Sequence, residues 1–252
     1  MKHLKRKILE IATKSGEGHI STAFSILEIL WVLYDRVLNI SPETVSHPDR
    51  DRFVLSKGHA SIGLYAVLAE KGFITEETLH SFGRFDSILG GHPDRTKVPG
   101  VETSTGSLGH GFPMAVGLAL AMKIRKQKGR VYTIIGDGEC NEGTVWESAL
   151  LAPHQKLDNL CCIVDYNHSN DRSLVLGDVE AKFKSFGWHT IAIDGHDEEA
   201  IYKALTAKSE RPIAVIAATI KGKGVKSMEH NPEWHHKSPK PEELEAFLKE
   251  LI

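Results

Sequence analysis

The sequence is poor in cysteine. Only three of its 252 residues are cysteines, at Cys140, Cys161 and Cys162. Three thiols provide no disulfide framework, and their spacing matches no zinc site. Because Cys161 and Cys162 stand within an apolar segment, we expect both to be buried as small hydrophobic side chains.

Long hydrophobic runs are also missing. The longest apolar stretches, 29–34 and 115–122, fall well short of the roughly 18 residues that a membrane-spanning helix needs. The basic N-terminal segment is interrupted by Glu10 and Lys14, which leaves no hydrophobic region for a secretory signal. We therefore expect a cytoplasmic protein that has no contact with a membrane.

Net charge of either sign is nearly absent, at −2 at pH 7 with a pI near 6.7. This balance gives no general electrostatic attraction to nucleic acid or to an anionic membrane. The chain is 41% hydrophobic and 25% charged, which is enough apolar material for a sizeable core. Its length lies at the upper end of the usual size of one domain, so we predict a single domain over residues 1–252.

Short apolar strands alternate with helices in the second half of the chain. The predicted strands are 131–135, 160–165, 188–193 and 212–219, and the predicted helices are 111–127, 143–154, 178–186 and 197–207. The first half predicts helices 3–14, 22–38 and 61–71, a strand at 52–56 and a helix that starts after Thr75. A C-terminal helix is predicted at 241–251. This alternation predicts an α/β fold, a parallel sheet with helices on both faces.

Histidine and glycine cluster at predicted turns. Several of the fourteen histidines adjoin glycine, at 18–19, 58–59, 91–92, 109–111 and 195–196. A single histidine of this kind is usually an ordinary surface or core residue. The repetition indicates histidines placed where the backbone comes close to a ligand. Residues 83–107, rich in glycine, proline and threonine, predict a long loop of the kind that usually serves function.

Polar residues follow two successive strands of the predicted sheet. Gly136-Asp137-Gly138 follows one strand, and Asn167 follows the next. Glycines and the start of a helix suit a phosphate, and a carboxylate beside a phosphate implies Mg²⁺ or Ca²⁺ between them. A crossover of this length returns the chain to a neighbouring parallel strand, so Asp137 and Asn167 are predicted to face one ion. Taken alone, Gly-Asp-Gly is more typical of an ordinary turn.

Gly-Asp-Gly followed by an asparagine at the next strand end resembles the motif that binds thiamine diphosphate. Other segments resemble transketolase in their usual order: Gly16–His19, Leu55–Ala60, Gly91–Pro93, Ser104–Gly111, Phe186–Trp188, Lys221–Val225 and Trp234-His235. The resemblance extends over nearly the whole chain. It implies a thiamine-diphosphate-binding fold that holds the cofactor diphosphate.

The resemblance implies a role for each matching residue. The metal would be held by Asp137, by the side chain of Asn167 and by the backbone carbonyl of Ser169. The cofactor diphosphate would meet Gly138, His59 and His235, with Asn167 acting through the metal. The rest of the cofactor would meet Gly106, Ser107, Leu108 and Ile220. Glu142 matches an acidic residue at the subunit contact. The substrate channel would be lined by His19, His92 and His235.

Two larger departures from the family pattern affect these expectations, one in the segment after Asn167 and one in the domains that are present. The segment 168–172 replaces the usual basic, aliphatic and glutamine residues after Asn167, and the stretch to Phe183 is shorter. His110 and His236 stand where the family usually has glutamine and glycine. A backbone carbonyl ligand tolerates such side-chain changes, so we expect the metal site to persist.

The second departure is the absence of the other transketolase domains. Neither the pyrimidine-binding domain, with the glutamate that activates the cofactor, nor the third domain fits in 252 residues. We therefore expect a chain that is catalytically incomplete alone and assembles with a partner subunit into a heterotetramer of two of each. The predicted reaction is transfer of a two-carbon ketol group from a ketose phosphate to an aldose.

Two alternatives remain open at this point. One is the α-type subunit of a 2-oxo acid dehydrogenase, and the other is a thiamine-diphosphate-binding chain without catalytic function. The sugar also stays open between pentose phosphates and unusual sugars such as apulose phosphate.

Overall fold

A computed structural model describes residues 1–171 and 174–251. Five strands form one sheet in the order β1-β2-β3-β5-β4, and every neighbouring pair is parallel. The strands are β1 (Arg52–Leu55), β2 (Val131–Gly136), β3 (Leu160–Tyr166), β4 (His189–Asp194) and β5 (Ile213–Ala218). The predicted parallel sheet is confirmed.

Helices follow the predicted positions with shifted ends. They are α1 (Lys2–Ser15), α2 (Ile20–Val32), α3 (Ser61–Glu70), α4 (Glu76–Leu79), α5 (Gly111–Ile124), α6 (Gly143–His154), α7 (Val179–Ser185), α8 (Glu198–Leu205) and α9 (Pro241–Glu250). The prediction at 22–38 missed that α2 continues as a π-helical turn, Leu33–Val37. Helix α5 ends before residue 127 because Lys126 adopts a left-handed φ of 57°. Thr75 caps α4 as predicted, accepting a hydrogen bond from Thr78 N.

The sheet divides the apolar core into two layers. Alternate residues of β3 show the division, because Cys161 and Ile163 join the cluster with α1, α2 and α3, whereas Cys162 and Val164 join the cluster with α5, α6 and α7. The predicted burial of both cysteines is confirmed, and they face opposite sides of the sheet. None of the helices in the described part of the chain is long and apolar enough to cross a membrane.

The predicted loop at 83–107 contains no helix or strand. It returns to the carboxyl end of β1, where Thr105 Oγ1 donates a hydrogen bond to Leu55 O at 2.7 Å. A Cβ atom on Gly58 would lie 2.7 Å from Thr105 Oγ1 and 2.9 Å from Gly106 N. Glycine at position 58 therefore allows the loop to lie directly against the end of β1.

The C-terminal helix supports the residue before His235. In α9, Phe247 is buried and packs edge-on against Trp234, with ring centroids 5.0 Å apart. The Trp234 carbonyl accepts a hydrogen bond from Ser21 Oγ at 2.5 Å. The apolar residues Leu244, Phe247, Leu248 and Leu251 all pack on the core, whereas Ile252 lies outside the described residues.

Trp188 is the largest fully buried side chain of the core, and Trp188→Ala should strongly destabilise the fold. The residue is 1% exposed, its ring packs against Phe112 and Phe183, and its Nε1 donates to Ala149 O at 2.7 Å. We expect a loss of about 3–5 kcal/mol in the free energy of unfolding, measured by urea denaturation. Trp31→Ala, at a partly buried position, serves as the control. A loss no larger than that of the control would contradict this view of the core.

Candidate active site

A cavity of about 260 Å³ lies at the carboxyl ends of β1, β2 and β3. Ligands of parallel sheets bind at this edge. Its lining contains nine of the predicted site residues: His19, His59, Gly106, Leu108, Asp137, Gly138, Asn167, Ser169 and His235. Thr22, Lys57, Gly136, Glu139 and Lys221 complete it. Residues predicted from distant parts of the sequence are thus brought to one place.

Asp137 and Asn167 follow strands that are direct neighbours in the sheet. The register pairs Gly136 with Asp165, so the two residues leave the sheet at the same edge. Ser169 lies between them: its Oγ donates to Asp137 Oδ1 at 3.1 Å, and its N donates to Asn167 Oδ1 at 3.1 Å. His168, with a left-handed φ of 61°, provides the turn between Asn167 and Ser169.

One carboxylate oxygen in this group has no protein donor. Asp137 is 3% exposed, and among the described residues its Oδ2 has no hydrogen-bond partner. A buried carboxylate oxygen is costly unless a donor or a cation meets it. A divalent cation that takes oxygen ligands fits this position.

The contacts among the proposed metal ligands differ in one detail from those that the resemblance to transketolase implied. The resemblance implied the carbonyl of Ser169 as a ligand, and the structure also brings its hydroxyl to Asp137. The Asn167 amide is held from behind, because its Nδ2 donates to Ser25 Oγ at 3.1 Å and to Asp165 Oδ2 at 3.0 Å. These two bonds fix which atom of the amide is the oxygen.

A buried ion pair lies beneath the cavity. Lys57 Nζ donates to Asp165 Oδ2, and the two side chains are 2% and 0% exposed. Ser25 Oγ donates to the other carboxylate oxygen of Asp165 at 2.6 Å, and Thr219 Oγ1 donates to the same atom. Burial alone would raise the pKa of Asp165, but the charge and hydrogen bond of Lys57 bring it below its ordinary value.

Three histidine rings gather around His19. Its ring centroid lies 5.3 Å from that of His59, 6.4 Å from that of His235 and 4.4 Å from that of His236. Burial, with the neighbouring His236, lowers the pKa of His19 to about 4. Burial, with the charge of Lys57, lowers the pKa of His59 to about 2, and the pKa of His235 is lowered by burial and by Lys221. These three rings are therefore neutral at pH 7 and can both donate and accept hydrogen bonds.

Sequence reasoning missed two lysines at this cavity. Lys221 Nζ lies 2.8 Å from His235 Nδ1, and burial, followed by repulsion from Lys57, lowers the pKa of Lys221 to about 8. The described residues place no carboxylate within salt-bridge distance of Lys221. The charge of Lys57 is met by Asp165, whereas the ammonium group of Lys221 beside the cavity favours an anionic ligand. The signal was present, since Lys57 and Lys221 both stand within segments that resemble transketolase.

Glu139 is a further buried group that the sequence did not single out. Its carboxylate accepts hydrogen bonds from Gly109 N at 2.9 Å, from Gly136 N at 3.3 Å and from Ser56 Oγ. Burial raises the pKa of Glu139 above its ordinary value. The side chain joins Gly109, just after the long loop, to the Gly-Asp-Gly turn, and thereby fixes two walls of the cavity.

Four of the predicted site residues lie outside this lining. His92 is exposed and packs against Gly106, where a Cβ atom would lie 2.9 Å from His92 Cδ2. Ser107 is exposed, and exposed Glu142 begins α6. Ile220 lines a neighbouring depression that also contains His196. Of the atypical segment after Asn167, Arg172 lies outside the described residues.

Asp165→Asn should destabilise the protein because it leaves the buried ammonium group of Lys57 without a counter-charge. The expected loss is about 3–5 kcal/mol in the free energy of unfolding, measured by urea denaturation. The double variant Lys57→Met, Asp165→Asn removes both charges and should lose less than the single variant. Equal losses in the two would show that the ion pair is not the cause.

Comparison with known proteins agrees with this geometry. Residues 3–251 match the family model described as transketolase, thiamine diphosphate binding domain. An apulose-4-phosphate transketolase subunit of Actinobacillus succinogenes is 42% identical, over 99% of this chain and 94% of the relative. A 6-deoxy-6-sulfo-D-fructose transketolase subunit of one Clostridium species is 38% identical, over 98% of this chain and 93% of the relative.

Comparison with solved structures also indicates the transketolase family. The crystal structure of transketolase from Campylobacter jejuni superimposes with a TM-score of 0.91 at 32% identity, covering 98% of this chain and 41% of that chain. The chain therefore spans about two fifths of that transketolase. The predicted family and fold are confirmed, as is the prediction of a thiamine-diphosphate-dependent transferase, and the 2-oxo acid dehydrogenase alternative is not favoured. The chain belongs to the transketolase family, within which it corresponds to the domain that binds thiamine diphosphate.

Proposed function

We propose that this chain is the cofactor-holding subunit of a two-chain transketolase, which moves a two-carbon ketol group reversibly from a ketose phosphate to an aldose. The observation that carries the proposal is the Asp137 carboxylate, buried beside Asn167 and Ser169 with one oxygen that lacks a donor among the described residues. Bound thiamine diphosphate supplies a nucleophilic carbon and an electron sink for the ketol unit.

The residues of this chain would bind the cofactor diphosphate through charge and through close approach of the backbone. Asp137, Asn167 and Ser169 would hold Mg²⁺ or Ca²⁺ against it, while Gly138, with no side chain, would let the backbone approach. Lys221 adds positive charge on the cavity side, while the charge of Lys57 is met by Asp165. His59 and His235 lie in the same lining, with neutral rings that can donate to phosphate oxygens.

The rest of the cofactor would extend along the long loop. Gly106, Ser107 and Leu108 follow Thr105, which is tied to the end of β1. Ile220 follows β5 and would pack on the thiazolium ring. His19, His92 and His235 would bond to sugar hydroxyls or to a developing oxyanion, a role that suits imidazoles which are neutral at pH 7.

The test of the cofactor site is Asp137→Ala in the chain assembled with its partner subunit. Calorimetric titration with thiamine diphosphate should show affinity that depends on Mg²⁺ in the unchanged protein, and loss of nearly all of that affinity in the variant. The reason is that the bridge between the diphosphate and the protein loses its charged ligand. Asp158→Ala, at an exposed carboxylate paired with Lys123, should bind normally. Unchanged affinity in Asp137→Ala would contradict the site.

The proposed assembly is a heterotetramer of two of each chain, in which the partner carries the pyrimidine-binding domain and its activating glutamate. Relatives of similar length that are named as transketolase subunits support the existence of a partner chain. Apolar side chains on two packed helices support a protein contact: Met114 and Ile124 on α5, and Leu150 and Leu151 on α6, are exposed. Glu142, at the start of α6, belongs to the same region.

Helix α5 is unusual for a surface helix. Its sequence carries no charged residue before Lys123, although Met114 is 37% exposed and Ile124 is 72% exposed. A helix that is apolar on all sides is normally covered by other protein. We therefore assign the outer faces of α5 and α6 to the contact with the partner subunit.

Leu150→Arg should prevent this assembly without unfolding the chain. Leu150 is 59% exposed, so the substitution removes little core packing and places a charge within the proposed contact. We expect the variant to melt at the temperature of the unchanged chain but to elute separately from the partner in size-exclusion chromatography. Lys203→Glu, on α8 across the sheet, should still assemble. Normal co-elution of Leu150→Arg would exclude this face from the contact.

The sugar substrate is left open by the chain itself. Relatives of similar length are named for apulose phosphate and for sulfofructose, while the full-length relatives are named transketolase. Ketol transfer assays with pentose phosphates and with apulose phosphate would separate these substrates. A complex that binds neither the cofactor nor any of these sugars would instead favour a chain without catalytic function. The cytoplasmic location and the extent of a single domain over 1–252 stay predictions from the sequence.

A further inference from the structure

A chain of buried polar side chains runs from α1 to the end of β5. Lys5 Nζ lies 2.8 Å from Glu28 Oε1, with the two side chains 5% and 8% exposed. The other oxygen, Glu28 Oε2, lies 3.1 Å from His196 Nδ1. At the far side of the ring, His196 Nε2 accepts a hydrogen bond from Ile220 N at 2.8 Å. Three side chains thus connect one helix to a single backbone amide.

The hydrogen bond from Ile220 N to His196 Nε2 determines the direction of the other bonds. A backbone N–H can only donate, so His196 Nε2 must carry a lone pair, and in a neutral ring the proton is then on Nδ1. That proton points at Glu28, which must be charged to accept it well. Burial would raise the pKa of Glu28, but the hydrogen bond from His196 and the charge of Lys5 lower it. All three bonds are therefore mutually consistent.

The amide at the end of this chain belongs to a segment that borders the cofactor cavity. Residues 219–222 continue from β5, and Lys221 lines the cavity. The segment is fixed on either side of Ile220: Thr219 Oγ1 donates to Asp165, and Gly222 N donates to Ser21 O at 2.8 Å. Between these points His196 accepts from the amide of the Thr219–Ile220 peptide, one residue before Lys221.

A gain in folding stability is a weak explanation for burying the polar side chains of Lys5, Glu28 and His196 together. Buried ion pairs often contribute little net free energy compared with apolar side chains of the same size. The arrangement does provide a fixed acceptor at one defined point, held by partners on two helices. Such orientation of a neighbouring group is typical of residues that support a binding site from behind.

We propose that Lys5, Glu28 and His196 form a positioning chain that fixes the Thr219–Ile220 peptide and thereby places the ammonium group of the following Lys221 at the cavity. His196 is the residue that touches this peptide, and it acts through Lys221 without contacting the ligand itself. The effect on cofactor affinity rests on the proposed function, whereas the effect on the peptide does not.

A matched pair of substitutions at His196 tests the positioning role of Lys5, Glu28 and His196. The oxygen of His196→Gln reaches the position of Nε2 and can still accept from Ile220 N. His196→Asn retains a donor toward Glu28 but is too short to reach Ile220. Hydrogen exchange of the Ile220 amide, measured in the ligand-free chain, should be at least about tenfold faster in His196→Asn and nearly unchanged in His196→Gln. His189→Asn, at the start of β4, is the control.

Thiamine diphosphate titrated with Mg²⁺ into the chain assembled with its partner gives the second readout. We expect its dissociation constant to rise about tenfold in His196→Asn and little in His196→Gln. Equal exchange in the two variants, or faster exchange along the whole of β5, would overturn the positioning role. If the unchanged complex binds no cofactor, the proposed function fails, while the exchange result still decides the role of His196.

Discussion

The ion pair between Lys57 and Asp165 is the interaction on which the cavity depends. It joins the end of β1 to the end of β3, both of its side chains are almost fully buried, and Ser25 from α2 and Thr219 after β5 donate to the same carboxylate. Charges are tolerated at such depth only when their remaining hydrogen-bonding capacity is satisfied. The segments that carry Lys57, Asp165, Ser25 and Thr219 must therefore be positioned accurately relative to one another. Their positions determine the shape of the cavity above the ion pair.

Above that pair, the polar groups are ordered from the sheet outward. Asn167 receives its orientation from Ser25 and Asp165, and Ser169 then connects Asn167 to Asp137. Beside Lys57, Gly111 permits α5 to begin directly against the end of β1, because a Cβ atom there would lie 2.5 Å from Ser56 Cα. The site is thus a consequence of strand order and close backbone packing, with few contacts that a loop alone determines.

Much of the fold, and the two residues predicted to hold the metal, could be predicted from the sequence because they follow from local sequence patterns. Apolar strands separated by helices specify a parallel sheet, and Asp137 and Asn167 mark two strand ends that such a sheet brings together. Lys57 and His196 were not assigned a role, since their contacts join residues 108 and 168 positions apart. The hydroxyl contact of Ser169 depends on the left-handed turn at His168, which the sequence does not signal. The π-helical turn after α2 likewise has no distinctive local pattern.

The support of His235 by α9 has a consequence for the order of folding during synthesis. All five strands precede residue 219 in the chain, so the sheet and its ion pair can form while later residues are still within the ribosome. Trp234 obtains its packing partner only when Phe247 has emerged. A nascent domain from which Phe247 has not yet emerged therefore has a complete sheet but one unfinished wall of the pocket.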